Sequence, residues 1–546
     1  MAEFDLAVIG AGSAGLSVTA AAAQLGVKVV LIERARMGGD CLNTGCVPSK
    51  ALLAASHAAT TIRGAGRLGL LVAEPAIDWN AVRAHVQGAI AAIAPADSEA
   101  RYRALGATVL RGQARFVAPD ALEVNGRRLT ARRIVVAAGS RAAVPPIPGL
   151  DRVPFLTNET LFDLPHRPEH LLILGGGPIG LEMADAFAGL GSRVTVVEAA
   201  TIASREDPEL AAGLRAALKT RGVTLLEGTA VAAVEAGSAA AMTDEAWAGE
   251  VGAGEARTGE ARTGENRARE ARAGEAVADE AGKGAATGVE SGMREARAEA
   301  AESGKPSGAA PGVVLVLADG RRIAGSHLLV AVGRRPNLEG LELEAGGVLA
   351  SPAGIVTDRG LRSVSNRRVF AAGDIADPAG IGPRAFTHVG SYHAGIIVRR
   401  VLFRLPARLD YAALPRVTYT DPELAQVGMT EAEARSAGVS VSVLRWPLAD
   451  NDRAVAEGDL TGLVKLVVAR GRVVGAGILA PSAGEMIGTW TLAIAERTRL
   501  SRLAGMIVPY PTRAEAAKRA AGSLFAPKLF SARTRQVVRW LQRLGG

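Results

Sequence analysis

Gly38-Gly39-Asp40-Cys41-Leu42-Asn43-Thr44-Gly45-Cys46-Val47-Pro48-Ser49-Lys50 holds both cysteines of this 546-residue chain, spaced Cys-x4-Cys, so any thiol chemistry is done here. Pro48 cannot sit inside a helix but suits a first turn, and the apolar run Ala51-Leu52-Leu53-Ala54-Ala55 continues that helix. Cys46 is thereby placed at a helix N-terminus, where unpaired N–H groups and the positive dipole end lower a thiol pKa. Lys50, one turn on, adds a cation. Cys41, expected on a turn bounded by glycines, is near enough for a disulfide and free enough to open it. A purely structural disulfide is disfavoured because a chain this large does not need one. A tetrahedral metal ion would find two cysteines alone two ligands short, with no histidine before His57. The pair therefore reads as redox-active, with no metal site expected.

Outward from this stretch, residues 4–9 read as a buried strand entering Gly10-Ala11-Gly12-Ser13-Ala14-Gly15, then an Ala-rich helix to about Gln24, then a strand ending at Glu33. In such a βαβ unit the glycines let backbone approach a pyrophosphate at the helix N-terminus, and Glu33 is placed to accept from an adenosine ribose. The unit recurs, residue for residue in length, from Ile173 to Glu198, with Gly175, Gly177, Gly180 and the acid Glu198. Two such sites imply two nucleotides and chemistry that passes between them. A glycine loop that only packs helix on strand would not need the acid, and both units carry it.

The length suits about three or four domains. Aromatics at 4% and 65 glycines suit Ala/Val/Gly-rich α/β layers better than a β-sandwich. Ile77–Ala104 reads as one helix, followed by short strands and a proline-rich boundary at Pro145-Pro146-Ile147-Pro148-Gly149. The second nucleotide domain spans 151–335 and ends in Gly333-Arg334-Arg335-Pro336-Asn337. It is interrupted at 237–311 by imperfect Gly-Glu-Ala-Arg repeats, too poor in large apolar residues to offset their ordering entropy. This insertion is expected to be disordered, an overgrown loop between strand patterns at Thr224–Val234 and Val313–Leu317. Val369–Asp374 reads as a strand ending in an exposed carboxylate, with a helix from Phe386-Thr387-His388. From Tyr411 an α+β style without a nucleotide motif takes over, of the kind that supplies an oligomer interface.

Net charge is +8, and the excess gathers at the C-terminus, where Arg513 to Gly546 carries eight Lys/Arg and one Glu. Nucleic acid is not among the expected partners; a peripheral membrane contact through this tail competes with the plainer reading of a solvated face. No basic leader precedes the glycine motif and no apolar run reaches transmembrane length, so the reading is cytoplasmic.

With these motifs in place, the chain resembles the FAD-dependent pyridine nucleotide–disulfide oxidoreductases, the group that contains dihydrolipoamide dehydrogenase, glutathione reductase and mercuric reductase. The likeness covers everything except 237–311, and its most specific part is the Gly38–Lys50 stretch, where members usually carry Thr at the Asp40 position. It implies an α/β fold of two Rossmann-like domains, 1–150 with 336–408 for FAD and 151–335 for NAD(P), plus a C-terminal α+β dimerisation domain, 409–546. It also implies that FAD lies on Gly10, Gly12, Gly15 and Glu33, with Ala114 near the adenine, Ala138 and Gly139 along the nucleotide and Asp374 on the ribityl chain. The nicotinamide nucleotide, with NADH preferred, would use Gly175, Gly177, Gly180, Glu198 and the Gly333 loop. Lys50 would pair with Glu182 beside the flavin, Cys46 would face the flavin and Cys41 the substrate. In the disulfide-substrate members a His-Pro-Thr-x-x-Glu segment of the partner subunit supplies the general base; here it is Tyr510-Pro511-Thr512-Arg513-Ala514-Glu515. Mercuric reductases have a Tyr in similar surroundings and a terminal cysteine pair, and this chain has no third cysteine. The implied function is a homodimeric NAD(P)H-dependent reductase of a small acceptor: a disulfide, a metal ion or a quinone. Dihydrolipoyl dehydrogenase and a mercuric-type metal reductase are the alternatives, and a redox-sensing or membrane-docked interaction protein is the non-enzyme one.

Overall fold

The computed structural model describes residues 2–237 and 312–544, so the 237–311 insertion, apart from Gly237, lies outside the described residues. A seven-stranded sheet carries the first glycine motif. Its parallel part runs Thr108–Arg111, Val29–Glu33, Phe4–Ile9, Arg127–Val136 and Val369–Ala371. Ala121–Val124 and Ala114–Ala118 extend it antiparallel from Arg127–Val136. Phe4–Ile9 and Val29–Glu33 are buried almost throughout, which is why they read as continuous apolar runs and not as alternating ones. Across this sheet the Ser13–Gln24 helix and the distant Thr387–Val401 helix share one core, with Ala14, Leu16, Ala394 and Ile397 all buried in it.

The second motif repeats the first in topology. Thr224–Leu226, Arg193–Val197, His170–Leu174 and His327–Val330 form a four-stranded parallel sheet in the same order relative to the glycine loop. Beside it, Val231–Ala236, Val313–Leu317 and Arg322–Gly325 form a three-stranded sheet, so the strands flanking the insertion are neighbours. The third layer is a five-stranded antiparallel sheet, ordered Pro415–Thr418, Glu423–Gly428, Arg472–Ala480, Leu463–Ala469 and Ser442–Pro447. The Ala483–Ala495 helix buries Trp490 and Ile487 in the same core. We propose domain boundaries at about residues 150, 335 and 408: residues 1–150 and 336–408 then share the seven-stranded sheet, 151–335 holds the four- and three-stranded sheets, and 409–546 holds the five-stranded one.

Several elements differ from the sequence reading. Ile77–Ala104 is not one helix but Trp79–Ile93, a tight turn at Ala94–Asp97, and Glu99–Ala104. Pro95 has no N–H to continue the ladder, and Ser98 starts the next helix by accepting from the Arg101 N–H. Thr224–Val234 is two strands, Thr224–Leu226 and Val231–Ala236, with Gly228 between them at φ +65°. Cys41 sits in a short helix, Gly39–Asn43, and not on an open turn.

Candidate active site

The thiol segment is held by helix packing. Ala51, Leu52 and Leu53 of the Cys46–Gly64 helix share a core with Leu181, Met183 and Phe187 of the Pro178–Gly189 helix, each large side chain contributing about 1.5–3 kcal/mol by its burial. Gly189 permits the close approach, since a Cβ there would lie 2.0 Å from Ser56 Oγ. The packing sets Lys50 Nζ 2.7 Å from Glu182 Oε2 and 4.2 Å from the centre of the Tyr419 ring. The Tyr419 N–H donates to the other Glu182 oxygen at 3.1 Å.

Cys46 is the first residue of its helix, as expected, with Gly45 at the cap and Sγ 3.1 Å from the Thr387 hydroxyl. Both cysteines are free thiols here, and Cys46 keeps one side open to solvent. A hydrogen bond from Cys41 lowers the Cys46 pKa to about 6, helped by Thr387 and the Lys50 charge, against burial and Glu182. That same bond, together with burial, pushes Cys41 well above its ordinary value. The two sulfurs are thus differentiated: at neutral pH Cys46 is a thiolate and Cys41 a thiol.

Asp40 turns out to be a connector. Its Oδ1 accepts from Thr44 Oγ1 at 2.6 Å and Asn158 Nδ2 at 2.8 Å, and its Oδ2 pairs with Arg334 at 2.9 Å. Arg334 also donates to Ser140 Oγ, which in turn donates to Asp374 Oδ2 at 2.5 Å. Asp374 is therefore not the exposed carboxylate at a strand end that the sequence suggested. The strand stops at Ala371, and Asp374 lies in the Gly373–Ile375 turn, where burial raises its pKa. The buried His393 steadies that turn: Nδ1 accepts from the Gly373 N–H at 3.1 Å, and Nε2 meets the Tyr411 hydroxyl at 2.6 Å. Burial lowers the His393 pKa to about 4, so the ring stays neutral and able to accept.

The glycine loops have the shape a nucleotide needs. Gly10 and Gly175 sit at φ +100° and +110°, and a Cβ on Gly15 or Gly180 would lie 1.9 or 2.0 Å from the Gly10 or Gly175 carbonyl oxygen. Beside Gly12 the nearest atom a Cβ would meet is Gly39 Cα at 3.9 Å, and beside Gly177, Gly139 and Gly333 there is open space. No side chain caps the Ser13–Gln24 or Pro178–Gly189 helix, which leaves first-turn N–H groups for phosphate oxygens. Glu33 accepts from the Ala11 and Ala35 N–H groups, both at 2.6 Å; Glu198 accepts from Gly176 and Ala200 at 2.7 and 2.8 Å. Each acid thus ties its own loop and keeps lone pairs for ribose hydroxyls. Ala114 is buried in the first core, while the Ala138 and Gly139 carbonyls accept from Asn337. Arg193 begins the strand whose far end leads into Glu198, roughly 16 Å away at strand rise, too far to join it.

Tyr510 and Glu515 are not brought to the thiols within one chain. The exposed Tyr510 donates to Asp452 Oδ2 at 3.0 Å, a bond that raises its pKa, and Glu515 pairs with Arg519 at 3.0 Å. Sequence reasoning missed Thr387, Arg334, Ser140, Asn158, Tyr419 and His393. The unusual Asp40 was the available signal for Arg334, because a part-buried carboxylate needs a cation. Nothing in the local sequence marks the other five, which reach the site by tertiary packing.

Two dinucleotide cradles and a dithiol with one ionised sulfur define a flavoprotein that moves electrons between a nicotinamide and a thiol pair. The chain belongs to the pyridine nucleotide–disulphide oxidoreductase family, whose model matches residues 4–250 and 265–429; the family's dimerisation domain matches 414–521. It is an FAD-dependent enzyme of that family, whose members bind FAD and use NAD(P)H, and the dimerisation domain supports a homodimer. The mercuric reductase of Streptomyces lividans is 35% identical, over 95% of each chain. A dihydrolipoyl dehydrogenase of Thermus scotoductus is 32% identical, over 96% of this chain and 98% of its own. Among solved structures, LpdA of Mycobacterium tuberculosis (25% identity, TM-score 0.74) and the flavoprotein disulfide reductase RclA of Escherichia coli (24%, 0.73) each align over 95% of this chain and 99% of their own. No helix among the described residues is long and apolar enough to cross a membrane.

Proposed function

We propose that the enzyme takes two electrons from NADH and delivers them through the Cys41–Cys46 pair to a small acceptor that needs thiolate ligands and no general base, a soft metal ion above all. One observation carries this reading: an ionised, solvent-open Cys46 beside the neutral thiol Cys41, in a chain with Tyr510 where a base would stand. The Gly10–Gly15 loop, the uncapped helix start behind it and Glu33 would hold FAD, which would supply hydride acceptance from the nicotinamide and two-electron reduction of the disulfide. Opening the disulfide with two electrons and one proton leaves Cys46 as thiolate and Cys41 as thiol. The Thr387 hydroxyl and the Lys50 charge hold the thiolate, and Glu182 holds Lys50. Cys41 releases its proton when a metal ion takes its place. The 35% identity to a mercuric reductase supports this acceptor class. Retention of Pro511-Thr512 and Glu515, with the 32% identity to a dihydrolipoyl dehydrogenase, favours dihydrolipoamide as the second reading. We place the enzyme in the cytoplasm, where NADH is supplied.

Steady-state turnover with Hg(II) in excess thiol, glutathione disulfide, menadione and dihydrolipoamide/NAD separates these readings. The metal ion is expected to be turned over fastest; dominant dihydrolipoamide oxidation would overturn the assignment.

NADH is expected to be preferred over NADPH by at least about tenfold in kcat/KM, because Glu198 accepts from a ribose 2′-OH and repels a 2′-phosphate. Glu198→Gln should narrow the ratio. Equal kcat/KM for both nucleotides in the unmodified enzyme would remove the argument.

A further inference from the structure

The Ala532–Arg543 helix follows the span matched by the dimerisation domain, and none of its side chains is buried. Val537, Leu541 and Leu544 share one face, bordered by Val538 and Trp540, and all five are 48–60% exposed. Arg535, Arg539 and Arg543 lie on the opposite face. Leu529 and Phe530, also exposed, lead into the helix. From Ala516 to Gly546 there is no acidic residue. Among the described residues the ion pairs of the C-terminal segment stop at Arg513 and Arg519, and none involves Lys528, Arg533, Arg535, Arg539 or Arg543.

We propose that this helix is an interfacial anchor that lays its apolar face into an anionic phospholipid bilayer and docks the flavoprotein on the membrane surface. Charge selects this occupant. A second copy of the helix would bring an equally cationic strip with no acid to offset it, whereas anionic lipid supplies counter-charge and an apolar layer together. Arginines on the solvent face of such a helix remain within about a Debye length of the anionic headgroups, and tryptophan is favoured at the interface. The helix is too short and too charged to span the bilayer, so docking is peripheral and reversible by salt.

The test uses the full-length, FAD-loaded enzyme sedimented with phosphatidylcholine vesicles, with and without about 30% phosphatidylglycerol. Binding is expected only to the anionic vesicles and should fall steeply between 0.1 and 0.5 M salt, with concentrations chosen on either side of the screening range. The triple variant Arg535→Gln, Arg539→Gln, Arg543→Gln should lose about fivefold in partition per arginine. The double variant Trp540→Ala, Leu541→Ala should lose at least about tenfold, while NADH oxidation in solution stays unchanged for both variants. Absence of binding to anionic vesicles, or equal binding to neutral ones, would overturn the proposal. So would a change of oligomeric state in either variant, read by light scattering, since the face would then be covered by a second copy.

Discussion

Cys46→Ser is expected to lower NADH-dependent turnover of the thiol-site acceptor by at least about a thousandfold and to abolish the long-wavelength absorbance that a thiolate gives against oxidised flavin. Cys41→Ser is expected to lose turnover to the same degree and yet keep that absorbance. The asymmetry follows from the geometry. Cys46 is the sulfur at the helix start with Thr387 and Lys50 around it, and its pKa is drawn down to about 6; Cys41 is the hydrogen-bond donor whose own pKa is pushed up. A serine at 41 can still donate to the Cys46 thiolate but cannot complete a disulfide or a two-sulfur metal clamp. A serine at 46 has no ionised form near neutral pH. Because the two sulfurs act as one unit, the double variant should be little worse than either single one. Full turnover in Cys41→Ser with the preferred acceptor would mean that the pair is not the exit route for electrons.

Tyr510→His is expected to raise dihydrolipoamide oxidation by about a hundredfold from a low starting rate. A dithiol substrate must lose a proton to attack the Cys41–Cys46 disulfide, and an imidazole near pKa 6.5 takes it at neutral pH where a phenol near 10 does not. The Asp452 hydrogen bond worsens the phenol further by raising its pKa. Asp452 would also orient an imidazole at 510, whereas Glu515 is occupied by Arg519. In the homodimer this side chain would face the partner's Cys41, so the gain should appear only in dimeric protein. Tyr510→Phe should leave dihydrolipoamide oxidation low and slow the native acceptor if the hydroxyl helps to hold it. Efficient dihydrolipoamide turnover by the unmodified enzyme would refute this account of residue 510.

The parts of the site legible in the sequence are those whose chemistry is local. Gly10-x-Gly12-x-x-Gly15 and its repeat need positive φ and close backbone contact, so glycine identity betrays them, and the acid at the end of the next strand sits at fixed spacing. Cys46 and Lys50 are linked by one helical turn. Glu182 was reachable only through the family resemblance, because its partner Lys50 belongs to another domain and they meet by the packing of two helices. Thr387 and His393 left no mark: each reaches the site from far along the chain, by a fold that brings residues 369–401 back onto the first sheet. The helix read through 77–104 broke at Pro95 because periodicity alone does not register a missing N–H. Asp374 was misread as exposed because no local pattern announces Ser140 and Arg334.

The central claim, that Cys46 is the ionised sulfur held against the flavin, is tested most directly by titrating the long-wavelength absorbance of the anaerobically NADH-reduced enzyme with pH. The Cys46 pKa is lowered from 9.0 to about 6, so the thiolate is fully present above that value and is lost as pH falls through it. The band should be constant from neutral pH upward, fade with a midpoint near pH 6, and shift its midpoint upward in Lys50→Met. A midpoint near 9, or a band that persists in Cys46→Ser, would contradict that claim.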